Sequence, residues 1–288
     1  MMKRFLFICI IFLAAAGAYS QSAAPSPYEP QILKAFADSL YNEGFLSQAE
    51  GEYKRFLFTF SQEDTPDARM QDSLLALTNI YKKQSNVSGI NWLKDNFYSA
   101  AEVPVREKIN FVQAEFIFKE RNTQAFNLFS ESILPERKNF SPRFKTLIDV
   151  SELLLNNDIG GLKAFCSGAS ALNPDYEQLY ELSKSYKLKS PGVALLFSTV
   201  IPGSGKWYTG SFGAFISSFL TIGTFAAGTV VTGIQTDWKS WQPYVFGACG
   251  AVLYIAELYG SYQSAKRYND SLYRILCEET EKLYDKEY

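Results

Sequence analysis

Thirty residues from Trp207 to Thr236 carry no charge, and they are bracketed by Lys206 and Asp237. A second apolar stretch, Ser240 to Ala265, follows almost at once with a single charge, Glu257. Two such runs joined by a few residues fit a hairpin of helices in a membrane. As one continuous helix the first run would be about 45 Å long, against a hydrocarbon layer of about 30 Å. Only part of it needs to span, and Phe212 to Ile234 is the expected span. The return helix is expected from about Tyr244 to Tyr262. Trp207 and Tyr208 on one side, and Trp238 and Trp241 on the other, are the aromatic residues expected at the headgroup levels. The apolar segment Pro191 to Ile201, only eleven residues long, is too short to cross. It is expected at the interface or packed on the hairpin as a short or re-entrant helix.

The N-terminus has the order of a secretory signal. Lys3 and Arg4 precede the apolar region Phe5 to Ala16, and Ala18-Tyr19-Ser20 supplies small residues for cleavage before Gln21. An uncleaved anchor is the alternative. Cys9 lies inside the apolar region, so there is no lipoprotein pattern. The remaining cysteines, Cys166, Cys249 and Cys277, have neither disulfide-framework nor metal spacing and read as small buried hydrophobes.

Composition narrows the chemistry. The 288 residues contain no histidine, which removes the commonest general base and metal ligand together. The net charge of −2 gives no field for nucleic acid. No carboxylate, serine or cysteine constellation has a catalytic spacing. No enzyme activity, cofactor or metal is expected. Gly203-Ser204-Gly205-Lys206 is not a phosphate loop: that motif needs glycine where Val200 stands and Ser or Thr where Trp207 stands.

Between residues 31 and 187 apolar residues recur at three- and four-residue steps, as in Leu33, Phe36, Ala37, Leu40 and Tyr41. Breaks near Asp64-Thr65-Pro66, Gln84 to Asn91, Pro135 to Pro142 and Asn156 to Gly161 divide this stretch into antiparallel helix pairs. Leu40, Gly44, Ala49 and Tyr53 carry the clearest unit, followed by Phe116, Ala125 and Phe129, then Ala169 and Pro174. On these residues the segment resembles tetratricopeptide repeats. It departs from their pattern at Phe56, where a small residue is usual, and at Ser61, where proline is. The resemblance implies a protein partner held in a groove; a generic array of helical hairpins implies much the same. The phenylalanines, among them Phe56, Phe58, Phe97, Phe111, Phe118 and Phe126, are expected mainly between helices.

Pro202-Gly203-Ser204-Gly205-Lys206-Trp207-Tyr208-Thr209-Gly210 resembles the opening of small bacterial two-transmembrane-helix domains that begin Pro-Gly-x-Gly-x-x-Tyr-x-Gly. Pro202, Gly203, Gly205, Tyr208 and Gly210 match, and Lys206 stands where Gln is usual. The resemblance implies a membrane module without an assigned activity.

The expected fold class is all-α. A signal peptide (1–20) and linker (21–30) precede a tetratricopeptide-like repeat domain (31–187). A membrane hairpin with an interfacial lead-in (188–265) and an amphipathic C-terminal helix (266–288) follow. That last helix is expected to bury Leu272, Ile275, Leu276 and Leu283. Gly223 with Ala227, and Gly247 with Ala251, are spaced for close helix contact, within the hairpin or between copies in a homo-oligomer. Glu257, an acid within a span, is either a proton or ion site or bonded to Tyr208 or Tyr259. The signal puts the repeats on the extracytoplasmic, periplasmic side of a bacterial inner membrane. The flanking Lys184, Lys187, Lys189, Lys206, Lys266 and Arg267 favour the reverse orientation. The functional expectation is a membrane-anchored scaffold binding a protein partner and contacting the lipid bilayer but no nucleic acid. The alternative is a subunit of an oligomeric channel or transporter.

Overall fold

The computed structural model describes residues 29–60 and 67–286, without the side chains of Phe60, Ala171 and Leu172. The expected signal peptide, most of the linker, Ser61 and the break at Asp64-Thr65-Pro66 lie outside the described residues. Among those described there is helix and no strand, so the chain is all-α. It divides into two units: Met1–Ile117 with Leu134–Phe144, and Phe118–Ile133 with Lys145–Tyr288.

The first unit opens with α1 (Pro30–Asn42) and α2 (Leu46–Phe60), an antiparallel pair. Their turn is set by Gly44 at φ +85°. Gly44 N–H donates to the Tyr41 carbonyl and Phe45 N–H to the Leu40 carbonyl. This paired closure satisfies the carbonyls at the helix end. Leu40 is half-buried beside the turn. Ala49 is fully buried, which lets the two helices approach, and the buried Tyr53 donates from its hydroxyl to Asp38 Oδ1 at 2.7 Å. Burial, ahead of that carboxylate, pushes the Tyr53 phenol well above its ordinary range. Phe56, large where the repeat pattern prefers small, is also fully buried.

Next come α3 (Ala68–Lys83), capped by the Asp67 carboxylate on Arg69 N–H, and α4 (Val87–Phe97), capped by Asn86 on Gly89 N–H. The break expected from Gln84 to Asn91 is therefore three residues, 84–86. Gly89 lies directly against the Tyr81 ring, where a Cβ would overlap it. Helix α5 (Val103–Lys119) buries Ile109, Phe111, Val112 and Ala114 on all sides. That is the mark of a core helix. Phe58, though half exposed, lies between helices as expected, edge-on to Trp92 and Phe97 of α4.

Helix α6 (Thr123–Arg137) runs through Pro135, so the expected break there begins only after Arg137. Residues 123–133 of α6 belong to the second unit, along with residues 145–155 of α7 (Pro142–Leu155). Ala125 sits half-buried in the first turn of α6, its N–H on the Asn122 side chain, and Phe129 is buried a turn later. Helix α8 (Ile159–Leu172) follows, capped by Asp158 on Gly161 N–H. At its far end the Ala169 carbonyl accepts from Asn173 N–H, and Pro174 opens a 3-10 turn into α9 (Glu177–Ser185). Cys166 is buried, which pushes its thiol up to about 11 and keeps it protonated at neutral pH.

The apolar half of this unit holds α10 (Pro191–Val200), α11 (Ser204–Tyr208), α12 (Phe212–Gln235) and α13 (Gln242–Asp285). Helices α12 and α13 are long and apolar enough to cross a membrane. They pack antiparallel. Gly228 lies under the Phe246 ring, Gly250 faces Phe225 Cβ, and Gly247 faces Thr229. Gly223, Ala227 and Ala251 lie on the open face instead, so of the two expected small-residue pairs only Gly247 enters the hairpin contact. The connection turns through left-handed Asp237 and Trp238, with the indole of Trp238 seated on Gly233.

Helix α13 does not stop where its apolar part ends. It continues unbroken for 44 residues, so the return helix and the expected C-terminal helix are one. Its tail buries Leu276, Cys277, Thr280, Leu283 and Tyr284, whereas Leu272 is half-buried and Ile275 exposed. The expected stripe is thus rotated toward Cys277 and Tyr284. Tyr284 shares a hydrogen bond with Ser151 at 2.9 Å, and its ring centroid lies 5.6 Å from that of Phe118. Arg121 and Glu281 form an ion pair at 2.5 Å.

Candidate functional site: a polar ladder in the apolar helices

Polar groups are costly where water is excluded, and most of those in the apolar helices have a partner, Ser204 Oγ and Gln242 Oε1 excepted. Along α13 those partners come from α10, α11 and the residues that flank them, and α12 joins through Lys206. Nearest the lysine-rich linker, the Asn269 amide pairs with the Lys189 backbone, accepting from its N–H and donating to its carbonyl, both at 2.9 Å. One turn further along, Ser264 and Thr209 hydroxyls meet at 2.6 Å. Then Ser198 donates to Ser261 at 2.7 Å and accepts from Gly205 N–H at 2.9 Å. Beyond these, Tyr254 donates to the Thr199 carbonyl at 2.9 Å.

The centre of the ladder is an ion pair. Lys206 Nζ lies 2.5 Å from Glu257 Oε2 and donates to Ser218 Oγ at 2.8 Å. The other carboxylate oxygen accepts from Ser261 at 2.9 Å. The Glu257 side chain is 6% exposed and that of Lys206 21%. A buried charge pair of this kind persists only when its remaining donors and acceptors are satisfied, and the serines supply them. Glu257 therefore bonds to neither Tyr208 nor Tyr259, the partners expected from sequence. Its partner is the one cation in the stretch from Pro191 to Thr236. That was the available clue: the second run holds one acid, and the stretch from Pro191 to Thr236 holds one cation to match it.

The turn motif explains how Lys206 reaches Glu257. Pro202 and Gly203 reverse the chain between α10 and α11, with Gly203 at φ +86°. This left-handed backbone costs other residues about 1–2 kcal/mol. Gly205 is needed for space: a Cβ there would collide with the Ala194 carbonyl and crowd Ser198 Oγ. The close approach delivers Gly205 N–H to Ser198 and aims Lys206 at α13. Gly210 makes the second turn, into α12. Tyr208 packs edge-on against Phe197, and its carbonyl accepts from Lys189 Nζ at 2.6 Å. Trp207 stacks on Phe215 and is 59% exposed.

Gly205→Ala is expected to cost about 1–3 kcal/mol by forcing α10 and α11 apart. Thermal unfolding of the detergent-solubilised full chain reads this as a loss of about 2–4 °C per kcal/mol. Gly223→Ala, with nothing within 4 Å of the new methyl, is the control and is expected to leave the midpoint unchanged or slightly higher. Equal losses from both would refute the close-approach argument.

The arrangement can hold charge in an apolar layer and lock four helices together. Within it the Glu257 carboxylate is paired on one oxygen by Lys206 and on the other by Ser261. The residues expected for a repeat groove lie elsewhere: Leu40, Gly44, Ala49 and Tyr53 gather at the α1–α2 pair, whereas Ala125, Phe129, Ala169 and Pro174 belong to α6, α8 and the turn after it. Comparison with protein-family models, with curated proteins and with solved structures finds no match for the chain.

Proposed function

We propose that the chain is a membrane-anchored, extracytoplasmic scaffold of the bacterial envelope, in which tetratricopeptide-like helical pairs bind a protein partner and the α12–α13 hairpin fixes their location. The observation that carries this reading is the continuity of α13: one helix holds the apolar hairpin at one end and buries Leu276, Leu283 and Tyr284 among the helices of its unit at the other. A tether meant only to retain a domain needs no such shared core. The Lys206–Glu257 pair is closed by Ser218 and Ser261, which supports a structural tie ahead of the channel reading.

Crosslinking the full chain in native membranes and purifying it is expected to recover a defined partner crosslinked to residues 30–186. A crosslink map with no partner on those residues sinks the scaffold. Reconstituted protein is expected to conduct no ions. A flux that falls in Glu257→Gln would favour the channel instead. Self-association through the open Gly223–Ala227 and Ala251 face is a second reading, and a cysteine placed at Ala251 is its probe. A disulfide between two copies of Ala251→Cys formed in membranes would favour the oligomer.

A further inference from the structure

Helices α10 and α11 leave an apolar groove of about 420 Å³ that the polar ladder does not use. It is lined by Phe197, Val200, Ile201, Ser204, Trp207 and Tyr208. Val200 is 80% exposed, and the lining residues are apolar apart from Ser204 and the polar edges of Trp207 and Tyr208. The volume lies within the usual range for small-ligand sites, about 300–1,000 Å³.

Its level along the hairpin follows from the ladder. Lys189 is held beside Asn269, and Thr199 beside Tyr254. At about 1.5 Å per residue, α10 therefore descends about 15 Å along α13, half of a hydrocarbon layer of about 30 Å. Helix α11 then climbs back, and the Tyr208 carbonyl returns to Lys189. The groove thus opens within one leaflet, on the side of the lysine-rich linker, and is continuous with the exposed apolar surface of α12 and α13. Lys189 Nζ sits 5.3 Å from the centre of the Tyr208 ring, at the linker end of the groove, and the exposed Lys187 lies two residues before it. Apolar lining below and ammonium groups above match one kind of occupant.

We infer that this groove binds an anionic phospholipid of that leaflet, its acyl chain against Phe197, Val200 and Trp207 and its phosphate beside Lys187 and Lys189. The inference rests on the membrane reading of the hairpin. Direct contact with the acyl chain puts Trp207 within range of a quencher carried on it.

The test uses full-length protein with Trp207 as the sole tryptophan, Trp92, Trp238 and Trp241 being replaced by Phe, in phosphatidylcholine vesicles. A small fraction of the lipid carries bromine on its acyl chain, as either phosphatidylglycerol or phosphatidylcholine. Brominated phosphatidylglycerol is expected to quench Trp207 as if enriched about fivefold at the site, the preference that roughly one lysine–headgroup contact confers. Lys187→Gln with Lys189→Gln is expected to abolish the preference while leaving bulk quenching. Equal quenching by the two headgroups, or none, overturns the proposal. A second variant keeps the two readings apart: Val252→Trp as sole tryptophan, on the open face of α13, reports the hairpin alone. Quenching of Val252→Trp without headgroup preference at Trp207 removes the groove site and leaves the membrane anchor. No quenching at either position removes both.

Discussion

Glu257→Gln is expected to destabilise the apolar half of the second unit by about 3–5 kcal/mol, because it leaves the Lys206 ammonium buried without its counter-charge. The amide keeps the size of the side chain and can still accept from Ser261, so the loss isolates charge from packing. The double variant Lys206→Met, Glu257→Leu is expected to recover most of that stability, since no charge then remains to be desolvated. Ser261 keeps its bond from Ser198, and Ser218, one turn from its own helix carbonyls, can turn to the backbone. Thermal midpoints of wild type, Lys206→Met, Glu257→Leu and the double in one detergent give the coupling directly. If the double is as unstable as the sum of the singles, the pair does not act as a clamp.

Tyr284→Ala is expected to cost a similar amount, about 3–5 kcal/mol, the range for emptying a large buried aromatic site. Tyr284 is fully buried and bonded to Ser151, which is itself without exposure. Tyr284→Phe keeps the ring against Phe118 and loses the hydroxyl, so a smaller loss of about 1–3 kcal/mol is expected from the unpaired Ser151. Amide exchange localises the effect: protection of residues 276–284 is expected to collapse in Tyr284→Ala while that of the α12–α13 hairpin persists. Unchanged protection of the tail would mean that its packing does not depend on this residue.

How far the sequence revealed these features depends on the physics behind each. The apolar runs were legible because a bilayer core demands of a helix about twenty residues almost free of charge. The expected span, Phe212 to Ile234, falls one residue short of α12. Gly44, Ala49 and Tyr53 were legible as a helix turn, a close contact and a packed ring, because those roles follow from local chain geometry. The Lys206–Glu257 pair was not, since it joins residues 51 positions apart and depends on how Gly203 and Gly205 fold α11 back. The end of α13 was misplaced for another reason. Composition changes from apolar to charged near Lys266, but between Ser261 and Asp285 there is neither glycine nor proline to stop a helix. A change of solvent preference is not a change of backbone. The tail's buried stripe shifted because Cys277, read from sequence as a small buried hydrophobe, and Thr280, which carries little hydrophobic signal, pack inward in place of Ile275.

Helix α13 has a mechanical consequence. Its 44 residues measure about 66 Å, and a bilayer would account for only about 30 Å of that. The remainder is a post with no joint, seated at its far end by Tyr284. Lipid thickness is met by tilt. A change in tilt of about 10° would swing the end of a post about 30 Å long by about 5 Å. A jointed tether would absorb that movement; this one carries it to whatever is docked beside Ser151 and Phe118. If the hairpin lies in a bilayer, as proposed, a change in bilayer thickness would therefore reach the other helices of the second unit as a displacement.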